Sequence, residues 1–226
     1  MEPVARTVPQ VQEHLEALKE RLLVMGGLAE ERVRAVAEAL VARDANGAAR
    51  VQASDEPLND LHKEIDQRCV RLLALHQPVA VDLRAVLAGV KINTDLERVG
   101  DLAVNVAEAV QRYLHHPPVK PLVDIPRMAD LAQHMLRDAL DAYVRRDVTL
   151  AEHVLATDDI VDALKSQVSD DLVPHMRAAP ATIEPALELI LIARHLERIA
   201  DHATNIAEDV IFMVSARDVR HHDRSR

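Results

Sequence analysis

Residues 96–110 read LERVGDLAVNVAEAV and residues 196–210 read LERIADHATNIAEDV, so one chain carries the same segment twice, 100 residues apart. A repeat of this kind constrains the fold to two similar units sharing one body. Within each copy the apolar residues alternate steps of three and four: Leu96, Val99, Ala103, Val106 and Val110, then Leu196, Ile199, Ala203, Ile206 and Val210. That spacing lays an apolar seam along an α-helix. Val51, Leu58, Leu61, Ile65, Leu72 and Leu75 carry the pattern into a preceding helix, matched 103 residues later by Val154, Val161, Leu164 and Val168.

Turn-forming joints at 44–47, at Gln77 with Pro78, at 115–126 (HHPPVKPLVDIP), at Arg146 with Asp147 and at 178–182 divide the chain. They predict six long helices, at 9–43, 47–76, 79–115, 126–146, 148–178 and 183–215. The expected fold is all-α: two pseudo-symmetric three-helix bundles, 9–115 and 126–215, with a linker at 116–125 and a flexible tail at 216–226. Gly26 with Gly27, Pro57 and Pro174 fall inside helices, where kinks are expected. Apolar residues make up 49% of the chain and aromatics 1%, so the core must come from Leu, Val, Ile and Ala, as in helix bundles. A net charge of −10 with so few aromatic platforms argues against a nucleic-acid partner. The opening MEPVARTVPQ has no apolar signal segment, and no apolar run approaches the roughly 20 residues of a membrane span, so a cytoplasmic location is expected.

Each copy also stacks Glu, Asp, Asn and Glu on successive turns of one helix flank: Glu97, Asp101, Asn105 and Glu108, then Glu197, Asp201, Asn205 and Glu208. With Leu96 at heptad position a, Glu97 and Asp101 take positions b and f, where charges are ordinarily just solvated. Three features weigh against that reading. The stripe recurs, it lacks Lys or Arg at the i+4 positions, and the preceding helices set Asp55 and Asn59, or Asp158 and Asp162, at matching places beside their seams. Gathered carboxylates must be protonated, paired with a cationic side chain or bridged by a metal. The candidate metal ligands are therefore Asp55, Asn59, Glu97 and Asp101 in the first half, and Asp158, Asp162, Glu197 and Asp201 in the second. Oxygen donors of this kind suit Mg²⁺, Ca²⁺, Mn²⁺ or ferric iron better than zinc. Arg98, Arg198 and Arg194 are the competing neutralisers, and the residues alone leave metal and salt bridge both open. Asn59 is a weaker ligand than Asp162, so the first half is expected to bind less tightly.

Catalytic signatures are missing. No His has a Glu three residues before it, which removes the Glu-x-x-His element of di-iron carboxylate proteins, and five glycines form neither a P-loop nor G-x-G-x-x-G. His202 is the one histidine beside a stripe and is expected to face solvent; Cys69, the only cysteine, is expected to be packing. The chain is read as a non-enzyme.

Met25, Gly26 and Gly27, the segment 77–84 (QPVAVDLR), the two LER-x-x-D-x-x-x-N copies and the run Asp218, Val219, Arg220, His221 together resemble the PhoU family of phosphate-specific transport accessory proteins, over residues 10–222. The resemblance implies two three-helix bundles, often a homodimer, with Glu or Asp-x-x-x-Asp motifs holding iron, manganese or magnesium on the bundle surface. It also implies a negative regulator of the phosphate-starvation response. Such a protein relays the state of the Pst transporter, through its ATPase PstB, to a PhoR-type sensor histidine kinase, and meets the inner membrane only through those partners. A carboxylate-rich metal-storage or redox protein is the alternative, and a plain scaffold with solvated acids a third.

Overall fold

The computed structural model describes residues 9–54 and 56–219. It is all helical, with no strand among the described residues. The elements are α1 (Pro9–Ala42), α2 (Ala45–Gln52), α3 (Glu56–His76), α4 (Ala80–Leu114), α5 (Asp124–Arg145), α6 (Val148–Ala178), one 3₁₀ turn (Pro180–Thr182) and α7 (Ile183–Ser215). The six expected helices are there, and the second is cut into α2 and α3.

Pro57 makes that cut. It has no N–H for the carbonyl one turn earlier, and its ring crowds that carbonyl. The chain closes α2 with Ser54 N–H and Ser54 Oγ–H both donating to the Val51 carbonyl, at 3.2 and 2.8 Å, and restarts with Pro57 in the first turn of α3. There the missing donor is harmless. A kink was expected, and a full break is found. Pro174, by contrast, lies inside an uninterrupted α6. Helix α1 also continues through Gly26 and Gly27. Gly26 serves a close approach instead, since a Cβ there would collide with Leu140 of α5.

Helices α1, α3 and α4 pack on one another, as do α5, α6 and α7, and the two sets join along α4–α7 and α1–α5. The 103-residue offset holds through the core: Leu58 and Val161, Leu61 and Leu164, Ile65 and Val168, Cys69 and Leu172 are all buried. Burial pushes the Cys69 thiol up to about 12, with the Asp66 charge adding to it, as fits a packing residue. The turns repeat as well. Arg43 and Arg146 are left-handed, with φ of 53° and 56°, and the following Asp44 and Asp147 amides donate to the Ala39 and Ala142 carbonyls at 2.9 and 3.0 Å. Both helices thus end in the same C-terminal capping motif.

The linker is held at its start and in its middle. The Arg43 guanidinium donates to the carbonyls of Leu114 (3.3 Å) and His116 (2.5 Å) and lies over the Tyr113 ring. Lys120 reaches Asp171 of α6 at 2.6 Å. Along the α4–α7 seam, Lys91 pairs with Asp209 (2.7 Å), Arg112 with Glu188 (2.9 Å), and His202 Nδ1 lies 2.8 Å from Asp95 Oδ1. His202 therefore corrects its expectation: it bridges two helices instead of facing solvent. No described helix is long and apolar enough to cross a membrane.

Candidate functional site

The first stripe lies where α4 meets α2 and α3. Glu97 and Asp101 are half-buried on α4, and Asn59 is half-buried on α3. Asp55, expected as their neighbour, lies outside the described residues, as do Arg220, His221 and the rest of the tail from 220. Glu108 continues the stripe toward α2, where Gln52 Nε2 donates to it at 3.4 Å. Arg98 lies 3.5 Å from both Glu97 Oε2 and Asp101 Oδ2. Its side chain is 57% exposed, so this contact is weak and displaceable. Arg32 of α1 is nearly buried and donates to the Ser54 carbonyl at the end of α2. One turn along α3 from Asn59, His62 sets Nδ1 3.4 Å from the Asn93 carbonyl and Nε2 3.6 Å from Asp66, while Asn93 Nδ2 donates to Asp66 at 2.9 Å.

The second stripe lies between α6 and α7. Asp158 is buried and Asp162 half-buried on α6; Glu197 and Asp201 are half-buried on α7. Here a lysine intervenes: Lys165 Nζ donates to Glu197 Oε1 at 3.0 Å. That hydrogen bond raises the lysine pKa against the opposing effect of burial, and the charges of Glu197, Asp162 and Asp201 add to the rise. One ammonium thus sits in the field of three of the four expected ligands. Arg194 and Arg198, named from sequence as neutralisers, also act on His195. Burial first, then the charges of Arg198, Arg194 and Arg112, hold that imidazole below its usual range.

Only the second stripe has a cross-helix ion pair among its described residues, Lys165 with Glu197. Among the described residues, no three acidic, histidine or cysteine side chains converge closely enough to hold a metal ion between them. The first stripe has oxygen donors, with exposed Arg98 on one side and the nearly buried Arg32 guanidinium against Gly100. Those of the second already face a fixed positive charge. Lys165 escaped the sequence reading because partners were sought at i+4 within the stripe helix. Its signal is present on the neighbouring helix, three residues after Asp162 on the same face.

The PhoU domain family matches this chain twice, at residues 22–110 and 125–210, one match to each set of helices just described. The chain belongs to the PhoU family. It is 39% identical over 213 residues to the phosphate-specific transport system accessory protein PhoU homolog of Pseudomonas putida, covering 94% of this chain and 83% of that protein. The PhoU homolog of Clostridium acetobutylicum is 37% identical, with 91% and 94% covered. The crystal structure of PhoU from Pseudomonas aeruginosa superposes with a TM-score of 0.86 at 37% identity, covering 91% of this chain and 99% of that one. That of the phosphate transport system regulatory protein PhoU from Streptococcus pneumoniae gives 0.85 at 28%, with 92% and 99% covered. The chain is thus a PhoU-family accessory and regulatory protein of phosphate transport, in a family that is not enzymatic.

Proposed function

We propose that this PhoU-family protein is the adaptor that restrains the phosphate-starvation response when phosphate is plentiful. It would do so as a cytoplasmic homodimer that contacts the transporter ATPase, PstB, and a PhoR-type sensor histidine kinase, reaching the inner membrane through them. The observation that carries this reading is the family match spanning both halves. A feature of the surface supports it. Helices α4 and α7 run 35 and 33 residues, or roughly 50 Å each, and offer rigid faces without needing a pocket. On those faces Leu83 and Leu87 recur as Ile183 and Leu187, all exposed at one-turn spacing. Exposed apolar residues at i and i+4 on a fixed helix are what partner recognition by helix faces uses.

Cations enter as stiffeners of that surface. Glu97 and Asp101, with Asn59 and Asp55, are the ligand set for a hard ion such as Mg²⁺, Mn²⁺ or ferric iron, cancelling repulsion within the stripe and fixing α3 against α4. Asp158, Asp162, Glu197 and Asp201 are the corresponding acids of the second half.

Affinity capture with the transporter ATPase and the kinase in high phosphate tests the adaptor role. Association that weakens on Leu87→Glu and Leu187→Glu is expected. No association with either protein, together with normal phosphate control after deletion of the gene, rejects it.

A further inference from the structure

The seam between α1 and α5 is built twice, once toward each end, and only one end is filled. At the 103-residue offset that aligns the turns at Arg43 and Arg146, positions 26, 30, 34, 37 and 41 of α1 match 129, 133, 137, 140 and 144 of α5. Toward the close of α5, Leu140 is buried against Gly26 and Val144 packs on the core. Beside them Arg137 donates from Nε and Nη2 to Glu30 Oε2 of α1, at 3.1 and 2.7 Å. An aliphatic knob and a forked ion pair thus close that end.

Toward the close of α1 the same places are filled differently. Ala37 stands where the other end has Leu140, and Ala129 where it has Gly26, so the knob is missing. Val41, the match of Val144, is 57% exposed. Arg34 matches Arg137, but the position that could receive it holds Gln133, which donates to the Ala129 carbonyl of its own helix at 3.1 Å. What remains is a groove of about 480 Å³ whose apolar lining is Ala37, Val41, Ala42 and Pro126. Its lip is acidic. Glu38 and Asp130 both line it, and the one guanidinium there, Arg34, is shared between Glu38 (3.1 Å) and Glu31 (3.9 Å). Among the described residues Asp130 has no cation within ion-pair distance, Arg127 one turn before it included.

We propose that this groove docks an amphipathic helix of a second protein, one that presents a leucine-sized side chain between Lys or Arg residues. The filled end is the template, since there a leucine carried on a helix enters the same seam. An apolar pocket for one large side chain, ringed by polar groups, is how helix-in-groove recognition concentrates its affinity. The excess of carboxylates on the lip selects the flanking charge. A second copy of this chain set symmetrically on the groove would bring two acidic lips face to face, which disfavours self-association there. No lining residue belongs to α4 or α7, so this site is separate from the faces of those helices and goes beyond the contacts proposed above.

The test titrates the full chain into a fluorescein-labelled amphipathic peptide of leucine and lysine and follows anisotropy. Saturable binding is expected, weaker by about tenfold or more for a peptide of equal charge with alanine in place of leucine. Ala37→Leu supplies the missing knob and leaves every lip charge in place; it should weaken binding by about tenfold or more without lowering the melting temperature. Val41→Asp should weaken it too, although it adds negative charge, and serves if Ala37→Leu does not fold. Asp130→Asn should cost a few-fold and flatten the salt dependence, whereas Ile160→Asp, at an exposed apolar position on α6, should change nothing. Equal affinity for the two peptides, or equal affinity in wild type and Ala37→Leu, reduces the effect to charge attraction and overturns the inference. Absence of saturable binding overturns it as well. A wild-type dimer in sedimentation that Ala37→Leu splits gives the groove to a second copy and overturns the choice of partner.

Discussion

The halves of this molecule agree inside and differ outside. Along α3 and α6 four apolar residues of one half have buried apolar counterparts in the other, Leu58 with Val161, Leu61 with Leu164, Ile65 with Val168 and Cys69 with Leu172. The same two helices differ at Pro57, where the first half breaks, at Asn59 against Asp162, and at His62 against Lys165. Core positions are tied by close packing, where one methylene too many or too few is felt. Flank positions answer to charge alone, and charge can be balanced by several different groups. A duplicated fold therefore does not entail a duplicated site.

The agreement inside is open to attack at Leu96 and Leu196, which are both about fully buried. Leu96→Ala and Leu196→Ala should each cost about 2–5 kcal/mol in urea unfolding, and by similar amounts. A several-fold inequality would mean that the halves do not share one packing solution. The two prolines sharpen the difference outside. Pro174→Ala should stabilise the chain by about 1–3 kcal/mol, because it restores a helix-interior donor, whereas Pro57→Ala in the first turn of α3 should change stability by less than about 1 kcal/mol. Equal effects would show that the break in the first half has a cause other than Pro57.

The smallest effect concerns acid. Glu64 is held below the usual carboxylate range by its hydrogen bond from Arg21 and further by Arg68, and its counterpart is the uncharged Gln167. A depressed carboxyl contributes stability above the unfolded value, about 4.3, and loses it as pH falls through the lower folded value. Glu64→Gln should flatten that acid limb in melting curves recorded from about pH 6 downward, by less than about 1 kcal/mol because the pair is partly exposed. An unchanged limb would assign the acid sensitivity to groups other than this pair.

Much of the fold is legible in the sequence because helix period and seam are local properties. The limits of α6 and α7 follow directly from the joints at Arg146 with Asp147 and at 178–182. Pro57 illustrates a partial reading, since the sequence marks the disturbance and only the three-dimensional fit of α2 and α3 against α4 decides that it becomes a break. The cross-helix pairs are of another kind. Lys165 with Glu197, Asp95 with His202 and Lys91 with Asp209 join residues 32 to 118 positions apart, and no periodicity within one helix announces them. His202 was read from its neighbour in sequence, Asp201, whereas its partner comes from α4.

The pinned linker has a mechanical consequence. Arg43 fastens the close of the first half to the start of the connecting segment, and Lys120 fastens its far side to α6. Its start is thus tied to α1 and its middle to α6, while ion pairs run along the seam of the long central helices. The connection is thereby a strap laid against both halves instead of a loose leash between them.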